Sequence, residues 1–414
     1  MAKVTILSDA PTLPTGFSNQ SKLLADYLTR HGHEVHYLAN GYTGATIKNV
    51  ELEDGTKFNY KIYGQKQNQY FADQITPHLK ETNSDAFFIL LDTFMMFGQD
   101  GWFLRTDTSP AQTFFWFPSD GGGGLPVYCD KILRKVEYPV AMSKFGQKQA
   151  LDYYGIKTHY IPHGTEPKRF YRLPDLDRYM LRTRWGLQDK FVIGVVARNQ
   201  QRKMLDRTMK AMYLIKNLIP NAVLFLHIDP TDVAQIWDIR HLIIRYGLEN
   251  RVVFSGMNWR SGFTWAQMNE VYNVMDCFFL STSGEGFGIP IIEAMSCEIP
   301  VVATDYTTTP ELIKDHKCGF GIKLAGVEEV SMFEWNSIDY DNKVMNGTLT
   351  GSWEVERGLC DCEDAAKKIK KLYDDPELCK QMGRNGRGAV LKYYDFENVV
   401  GPAWMNYILE GIKR

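Results

Sequence analysis

The 414-residue chain has little net charge, no long apolar run and no ordered cysteine pattern. No stretch approaches the uninterrupted apolar length, about 20 residues, of a membrane-spanning helix. That excludes a helical membrane protein but leaves peripheral contact with a bilayer open, since a surface patch hardly marks composition. Lys and Arg number 47 against 49 Asp and Glu, for a net charge of −2. This balance gives no electrostatic argument for a nucleic-acid partner, and it does not forbid a local basic patch. The seven Cys are odd in number and scattered, as expected for reduced thiols in a cytosolic setting. Cys360-Asp-Cys362 has no second pair and no nearby His, so a zinc site is not the reading. The apolar run within Met1–Ser8 is too short for a signal-peptide core. Together these absences lead us to expect a cytoplasmic protein.

What is present is apolar patterning for two cores. Hydrophobic residues make up 44% and aromatics 13%, and the length exceeds what one core usually serves. Val4–Ser8, a helix from Ser18 to His31 and His33–Ala39 give a strand-helix-strand opening, the start of a parallel doubly wound α/β sheet. Asp85–Asp92 and Thr113–Pro118 extend that sheet, while residues 41–80 show no clear regularity beyond a turn at Glu53–Thr56. Val140–Lys144 precedes a helix capped by Ser143. A second doubly wound half begins at Lys190–Ala197 and continues through Ala222–Asp229, Val252–Met257, Val274–Leu280 and Val301–Thr304. The expected division is 1–168, a linker 169–186, a second domain 187–394 and a terminal helix in 395–414. Residues 325–358 carry few periodic signals and are expected to be an excursion.

Ligands of such sheets bind beyond the carboxyl ends of the strands. That places Thr15-Gly16-Phe17 at a site, with an ordinary turn as the alternative for Gly16. Ser119-Asp-Gly-Gly-Gly-Gly124 follows another strand and is suited to a backbone-exposing loop. After the strand 190–197 comes Arg198-Asn-Gln-Gln-Arg-Lys203, two cations five apart on a loop that opens a helix. A planar guanidinium and a compact ammonium can grip a diphosphate from two sides; the alternative is a solvated basic loop, with Arg202 free to turn away.

The densest signal is Ser281-Thr-Ser-Gly-Glu-Gly-Phe-Gly-Ile-Pro-Ile-Ile-Glu-Ala-Met295. It runs from a buried strand into a helix with Pro near its first turn. Gly286, Phe287, Gly288 and Ile289 offer backbone N–H groups at a helix N-terminus, which favours an anion. Glu285 and Glu293 bracket this turn, and ionised carboxylates accept strongly from hydroxyls. Amides for phosphate together with carboxylates for hydroxyls suit a nucleotide-sugar.

This string resembles the signature of retaining GT-B glycosyltransferases of the large GT4-like family. The likeness continues through Pro300-Val-Val-Ala-Thr-Asp305 and Thr309-Pro-Glu-Leu-Ile313, and Pro14-Thr-Gly-Phe17 is similar to the family's N-terminal glycine loop. Glu298 departs from the glycine usual there. The resemblance implies two Rossmann-like domains facing a central cleft, with a C-terminal helix crossing back to the first. It implies that Arg198 and Lys203 hold the donor diphosphate, Glu293 the ribose hydroxyls and Glu285 the hydroxyls of the transferred sugar. Gly256 and Met257, with Asn258-Trp259-Arg260 beside them, would meet the nucleotide base. Asp120 stands where relatives more often have His, and would act near the anomeric centre; a turn-forming Asp-Gly is its alternative. His163, in an Ile-Pro-His-Gly segment, would line the cleft as a turn residue.

The activity so implied is transfer of a hexose-type sugar from a UDP- or GDP-sugar to a glycan or small-molecule acceptor, with retention. Attack on the same face as departure, with the leaving phosphate taking the proton, needs no carboxylate nucleophile. The cationic side chains do the work of a metal, and no metal or other cofactor is required. Domain closure would exclude water. A GT-B-like sugar-nucleotide epimerase and a degenerate nucleotide-sugar scaffold remain the alternatives.

Overall fold

A computed structural model of the chain describes residues 1–51, 57–66, 69–97, 101–232, 235–258, 262–331 and 354–413. The expected turn at Glu53–Thr56, the central part of the 325–358 excursion and the base-site candidates Trp259 and Arg260 lie outside the described residues. The backbone divides into two compact units. One comprises Met1–His163, Glu329–Glu356 and Phe396–Arg414; the other comprises Gly164–Glu328 and Arg357–Asp395.

In the first unit, among the described residues, eight strands form one sheet. They are β1 (Lys3–Asp9), β2 (Glu34–Asn40), β3 (Ile47–Glu51), β4 (Lys57–Gly64), β5 (Ala86–Leu90), β6 (Gln112–Phe117), β7 (Tyr138–Ala141) and β8 (His159–Tyr160). Their order is β3-β4-β2-β1-β5-β6-β7-β8. β1 lies between β2 and β5 in parallel register, with Val4 opposite Val35 and Ala86. Helices cover both faces, so β5 and β6 are apolar along nearly their whole length rather than alternating. The sheet departs from the all-parallel expectation at one edge, where β3 pairs antiparallel with β4. The stretch 41–80 is thus more regular than it looked. β4 buries Phe58, Tyr60 and Ile62 and turns Lys57, Asn59 and Lys61 outward, and a helix spans Ile75–Thr82.

The helix Gly16–Arg30 is capped by Thr15, whose Oγ1 accepts from the Ser18 N–H and donates to Asp9 Oδ2 at 2.7 Å. Ser143 caps Lys144–Tyr154 as expected. The terminal helix Gly401–Gly411 seats Trp404 edge-on against Phe88 and Trp116, at 4.9 and 5.0 Å between ring centres. Arg30 grips Glu397 through both guanidinium nitrogens, at 2.8 and 2.6 Å.

The second unit has a six-stranded parallel sheet among the described residues. Its strands are β9 (Phe191–Val196), β10 (Ala222–His227), β11 (Val252–Phe254), β12 (Cys277–Leu280), β13 (Val301–Thr304) and β14 (Gly319–Ile322). The order β11-β10-β9-β12-β13-β14 is the doubly wound one, reversing direction between β9 and β12. These two central strands come close because Gly194 has no side chain; a Cβ there would lie 2.1 Å from the Met275 sulfur. Residues 169–186 hold a helix, Asp175–Arg184. Arg178 and Arg182 from it converge on Asp276, which also accepts from the Val192 N–H at 2.8 Å. A two-stranded ribbon of β15 (Leu324–Ser331) and β16 (Glu354–Cys360) flanks the excursion.

Candidate functional site

In an open parallel sheet the crevice lies where strand order reverses, outside the carboxyl ends of the two strands involved. In the second unit those strands are β9 and β12, and the loops that leave them are the two singled out from sequence. The loop after β9 runs from Ala197 through a short turn at Gln201–Lys203 to the helix Leu205–Leu218. The loop after β12 runs from Ser281 to the helix Ile289–Ser296. Hydrogen bonds zip the two together. The Ser283 N–H donates to Arg202 O at 2.7 Å, Thr282 Oγ1 to the same oxygen at 3.1 Å, and Ser281 Oγ to Met204 O at 2.9 Å.

On this frame the charged groups meet. Lys203 Nζ donates to Glu285 Oε1 at 2.6 Å, and Arg202 Nη1 to Oε2 at 3.0 Å. Arg202 therefore faces Glu285 rather than turning away. The Glu285 side chain is 5% exposed and that of Lys203 9%, whereas Arg202 keeps 29%. Burial pushes the Glu285 carboxyl up, but Lys203 and Arg202 outweigh it and hold it at about 2. Glu285 is thus ionised at neutral pH, and the three side chains carry a net charge of +1. Arg198 has a different carboxylate as its partner. It is half-exposed and donates from Nε to the buried Asp232 Oδ2 at 2.9 Å.

The helix that follows begins at the glycine turn expected to meet an anion. Gly288 caps it at φ 101°, and a Cβ there would sit 3.0 Å from Ile291 Cδ1. Here glycine is required by conformation and by space. No acceptor among the described residues takes the Gly286 or Gly288 N–H. Phe287 is buried with its ring edge-on to Tyr394, and Ile289 is half-buried. Two turns of chain beyond Glu285, Glu293 has the opposite environment. It is buried, no cation among the described residues pairs with it, and Tyr272 Oη donates to its Oε2 at 2.5 Å. Burial raises its carboxyl to about 7, against the smaller lowering effect of the tyrosine hydroxyl. Oε1 has no partner among the described residues. Gly256 follows β11 at φ 76°, exposed, with nothing near its Cα where a side chain would go; Met257 is half-buried beside it. Among the described residues no group of three or more His, Cys, Asp or Glu could hold a metal ion.

The candidates in the first unit stand separately. Gly16 is exposed and opens its helix without a positive φ. Asp120 is half-buried on the loop after β6. The glycines that follow it serve close backbone packing: Gly122 exchanges hydrogen bonds with Glu356 at 2.9 and 3.2 Å, and a Cβ on Gly121 would lie 2.7 Å from Val355 Cβ. His163 does not line a surface. It is 1% exposed, packed edge-on against Trp116 at 4.2 Å, and burial lowers its imidazole to about 3.

Residues 180–331 match the family model of the glycosyl transferases group 1. That stretch, nearly all of it in the second unit, is where the chain is similar to this family. Around it, the fold of the chain as a whole is that of GT-B glycosyltransferases. The chain is similar to sucrose-phosphate synthase from Thermosynechococcus elongatus, with a TM-score of 0.74 at 17% identity over all of both chains. It is also similar to Anabaena HepE, solved in complex with UDP-glucose, with a TM-score of 0.70 at 16% identity over all of both chains. In sequence it is 28% identical over 181 residues to mannosylfructose-phosphate synthase of Agrobacterium fabrum, covering 42% of this chain and 38% of that protein. The chain thus matches well under two thirds of the length of that curated relative. Sequence reasoning missed Tyr272 and Asp232, the partners of Glu293 and Arg198, because a long-range pairing leaves no local pattern. It also missed Thr307 and Thr308, whose hydroxyls reach the Glu285 loop from a distant turn.

Proposed function

We propose that the chain is a retaining glycosyltransferase that moves glucose or mannose from a nucleoside diphosphate to an acceptor hydroxyl. The observation that carries this reading is the Lys203–Glu285–Arg202 cluster beside the untaken Gly286 and Gly288 amides, at the point where the sheet reverses. A net positive charge beside open N–H groups fits a diphosphate, and the second carboxylate, Glu293, with a free Oε1, fits ribose hydroxyls. The names of the relatives, a mannosylfructose-phosphate synthase and a UDP-glucose complex, support a hexose donor, and the second of them a UDP carrier; GDP is the alternative nucleotide.

In the step itself the acceptor oxygen bonds to the anomeric carbon as the bond from that carbon to the phosphate oxygen breaks. The electron pair goes to the diphosphate, where Lys203, Arg198 and the loop amides stabilise it, a form of electrostatic catalysis that often dominates. The acceptor proton passes to a phosphate oxygen on the same face, which gives retention without a covalent enzyme intermediate. Side-chain cations supply the neutralisation, so the reaction proceeds without added divalent metal. No helix among the described residues is long and apolar enough to cross a membrane; we place the reaction in the cytoplasm, where free thiols such as these persist.

The test is calorimetric titration with UDP-, GDP-, ADP- and dTDP-sugars, on the wild type and on Lys203→Ala. One nucleotide class should bind, and the variant should bind about 10- to 100-fold more weakly, the range for a charge-assisted hydrogen bond. Binding of none would leave a degenerate scaffold as the better account. Undiminished binding by the variant would put the diphosphate elsewhere, and donor isomerised without acceptor would mark an epimerase.

A further inference from the structure

The loop that carries Glu285 is held from behind by a turn no sequence argument used. Between β13 and the short helix Thr309–Ile313 lie Thr307 and Thr308, both buried. Thr307 has φ 53°, in the left-handed region that β-branched side chains avoid because Cβ crowds the backbone. Such outliers persist only where the surroundings over-determine them, and they cluster at working sites. The surroundings here are specific. Thr307 Oγ1 accepts from the Glu285 N–H at 2.9 Å and lies 3.2 Å from Glu285 O, to which it donates. Thr308 Oγ1 shares its single proton between Glu285 O at 3.1 Å and Phe287 O at 2.9 Å. The turn is itself braced by the third threonine: Thr309 Oγ1 donates to Thr304 O and to Tyr306 O, and accepts from the Tyr306 N–H at 3.2 Å.

Glycine would occupy the Thr307 backbone position without strain, but it would leave the Glu285 N–H and carbonyl without that hydroxyl in a buried place. We infer that Thr307 is a positioning residue. Its hydroxyl, with that of Thr308, fixes the peptide planes on either side of Glu285. That orientation keeps the carboxylate on Lys203 and Arg202 and keeps the Gly286 and Gly288 N–H groups turned out toward a ligand. The strain is retained for the hydroxyl. This role rests on the glycosyltransferase reading, because it is the donor site that the turn holds in shape.

The experiment uses the full chain with the nucleotide-sugar that the wild type binds, and compares Thr307→Gly, Thr307→Ser and Thr308→Val. Thr307→Gly should unfold near the wild-type temperature, because relief of the strained backbone offsets the unpaired groups of the Glu285 peptide. Its kcat should nevertheless fall by at least about tenfold, the scale on which misplaced catalytic groups lose rate, with donor KM changing much less. Thr307→Ser keeps the hydroxyl and should retain kcat within about threefold, a small fraction of that cost; Thr308→Val should fall in the same direction as the glycine variant. Wild-type turnover by Thr307→Gly, or a loss by Thr307→Ser as deep as that by glycine, overturns the role while leaving the glycosyltransferase reading intact. Thr307→Gly losing stability and kcat together also overturns it, since the residue would then serve only the fold. A wild type that binds no nucleotide-sugar overturns the functional reading, and this role with it.

Discussion

Replacing Glu293 by Gln should make the free protein more stable above neutrality while weakening its proposed ligand. Burial raises the Glu293 carboxyl to about 7 from an ordinary value of 4.5. Between those values the folded chain holds a proton that the unfolded chain has released. The stability this group contributes is therefore fully present below pH 4.5 and is lost as pH rises through 7. The gap of about 2.5 pH units, at about 1.4 kcal/mol each, sets an upper figure of roughly 3 kcal/mol at pH 8.5. Gln has the volume of the protonated acid and an oxygen to accept from Tyr272 Oη, so it keeps the neutral form's packing and removes the titration. Urea unfolding of both proteins at pH 4 and pH 8.5 measures the difference. The two should agree at pH 4, and the variant should gain up to about 3 kcal/mol at pH 8.5. The same variant should bind the donor less tightly, because an amide oxygen accepts from ribose hydroxyls more weakly than a carboxylate. Equal stability at pH 8.5, or a gain of the same size at both pH values, would refute the reasoning.

Two further perturbations probe conformation and charge. Gly288→Ala puts a Cβ at φ 101° and 3.0 Å from Ile291 Cδ1, and should cost about 2 kcal/mol or more in thermal unfolding with loss of donor binding; an unaltered melting temperature would show that the cap relaxes freely. His78 packs edge-on to Tyr63 at 4.6 Å, and burial with the neighbouring His36 lowers its imidazole to about 4 from 6.5. Its folded value is depressed, so the stability from the neutral ring is present above pH 6.5 and lost as pH falls through 4. His78→Phe keeps a ring on Tyr63 and should shift the acid-unfolding midpoint, followed by circular dichroism, to lower pH. A midpoint that stays put would show that another group controls acid unfolding.

Much of the second unit was legible because its signals are local. A buried strand, a glycine-bearing turn and an apolar helix follow one another within Val274–Met295, and their chemistry depends on backbone that the sequence places directly. The Arg198–Lys203 loop was legible for the same reason, since its position after a strand decides where it points. What the sequence concealed are pairings between distant segments. Nothing near Arg202 says that its guanidinium meets Glu285 rather than solvent; the zipping of the two loops through Ser281, Thr282 and Ser283 decides that. Nothing near Arg198 names Asp232. In the first unit, β4 was legible in principle, since Lys57-Phe-Asn-Tyr-Lys-Ile62 alternates with period two. The irregular stretch on either side hid it, as did the antiparallel partner β3, which a purely parallel scheme does not anticipate. The four glycines after Asp120 suggested a backbone-exposing loop, but Gly121 owes its smallness to Val355, more than two hundred residues away in sequence.

The two glutamates show how one short stretch can produce opposite chemistry from the same side chain. Glu285 sits in a loop that faces the cations of the neighbouring loop, so its charge is compensated and it stays ionised far into acid. Glu293 sits on a helix face turned into the unit, where Tyr272 offers one hydroxyl and no cation among the described residues pairs with it, so burial opposes its charge and raises its carboxyl to about 7. Groups pushed apart in this way are the usual mark of a site that divides labour between two acids. Here the division follows from what each carboxylate would meet. Glu285 already neutralises part of the positive charge, which keeps Lys203 and Arg202 in place while no anion is bound. Glu293 has less reason to be ionised until hydroxyl donors arrive at its open oxygen. A free protein arranged in this way keeps its cations in place with one carboxylate and holds the other in reserve, and both settings follow from which loop or helix the residue occupies.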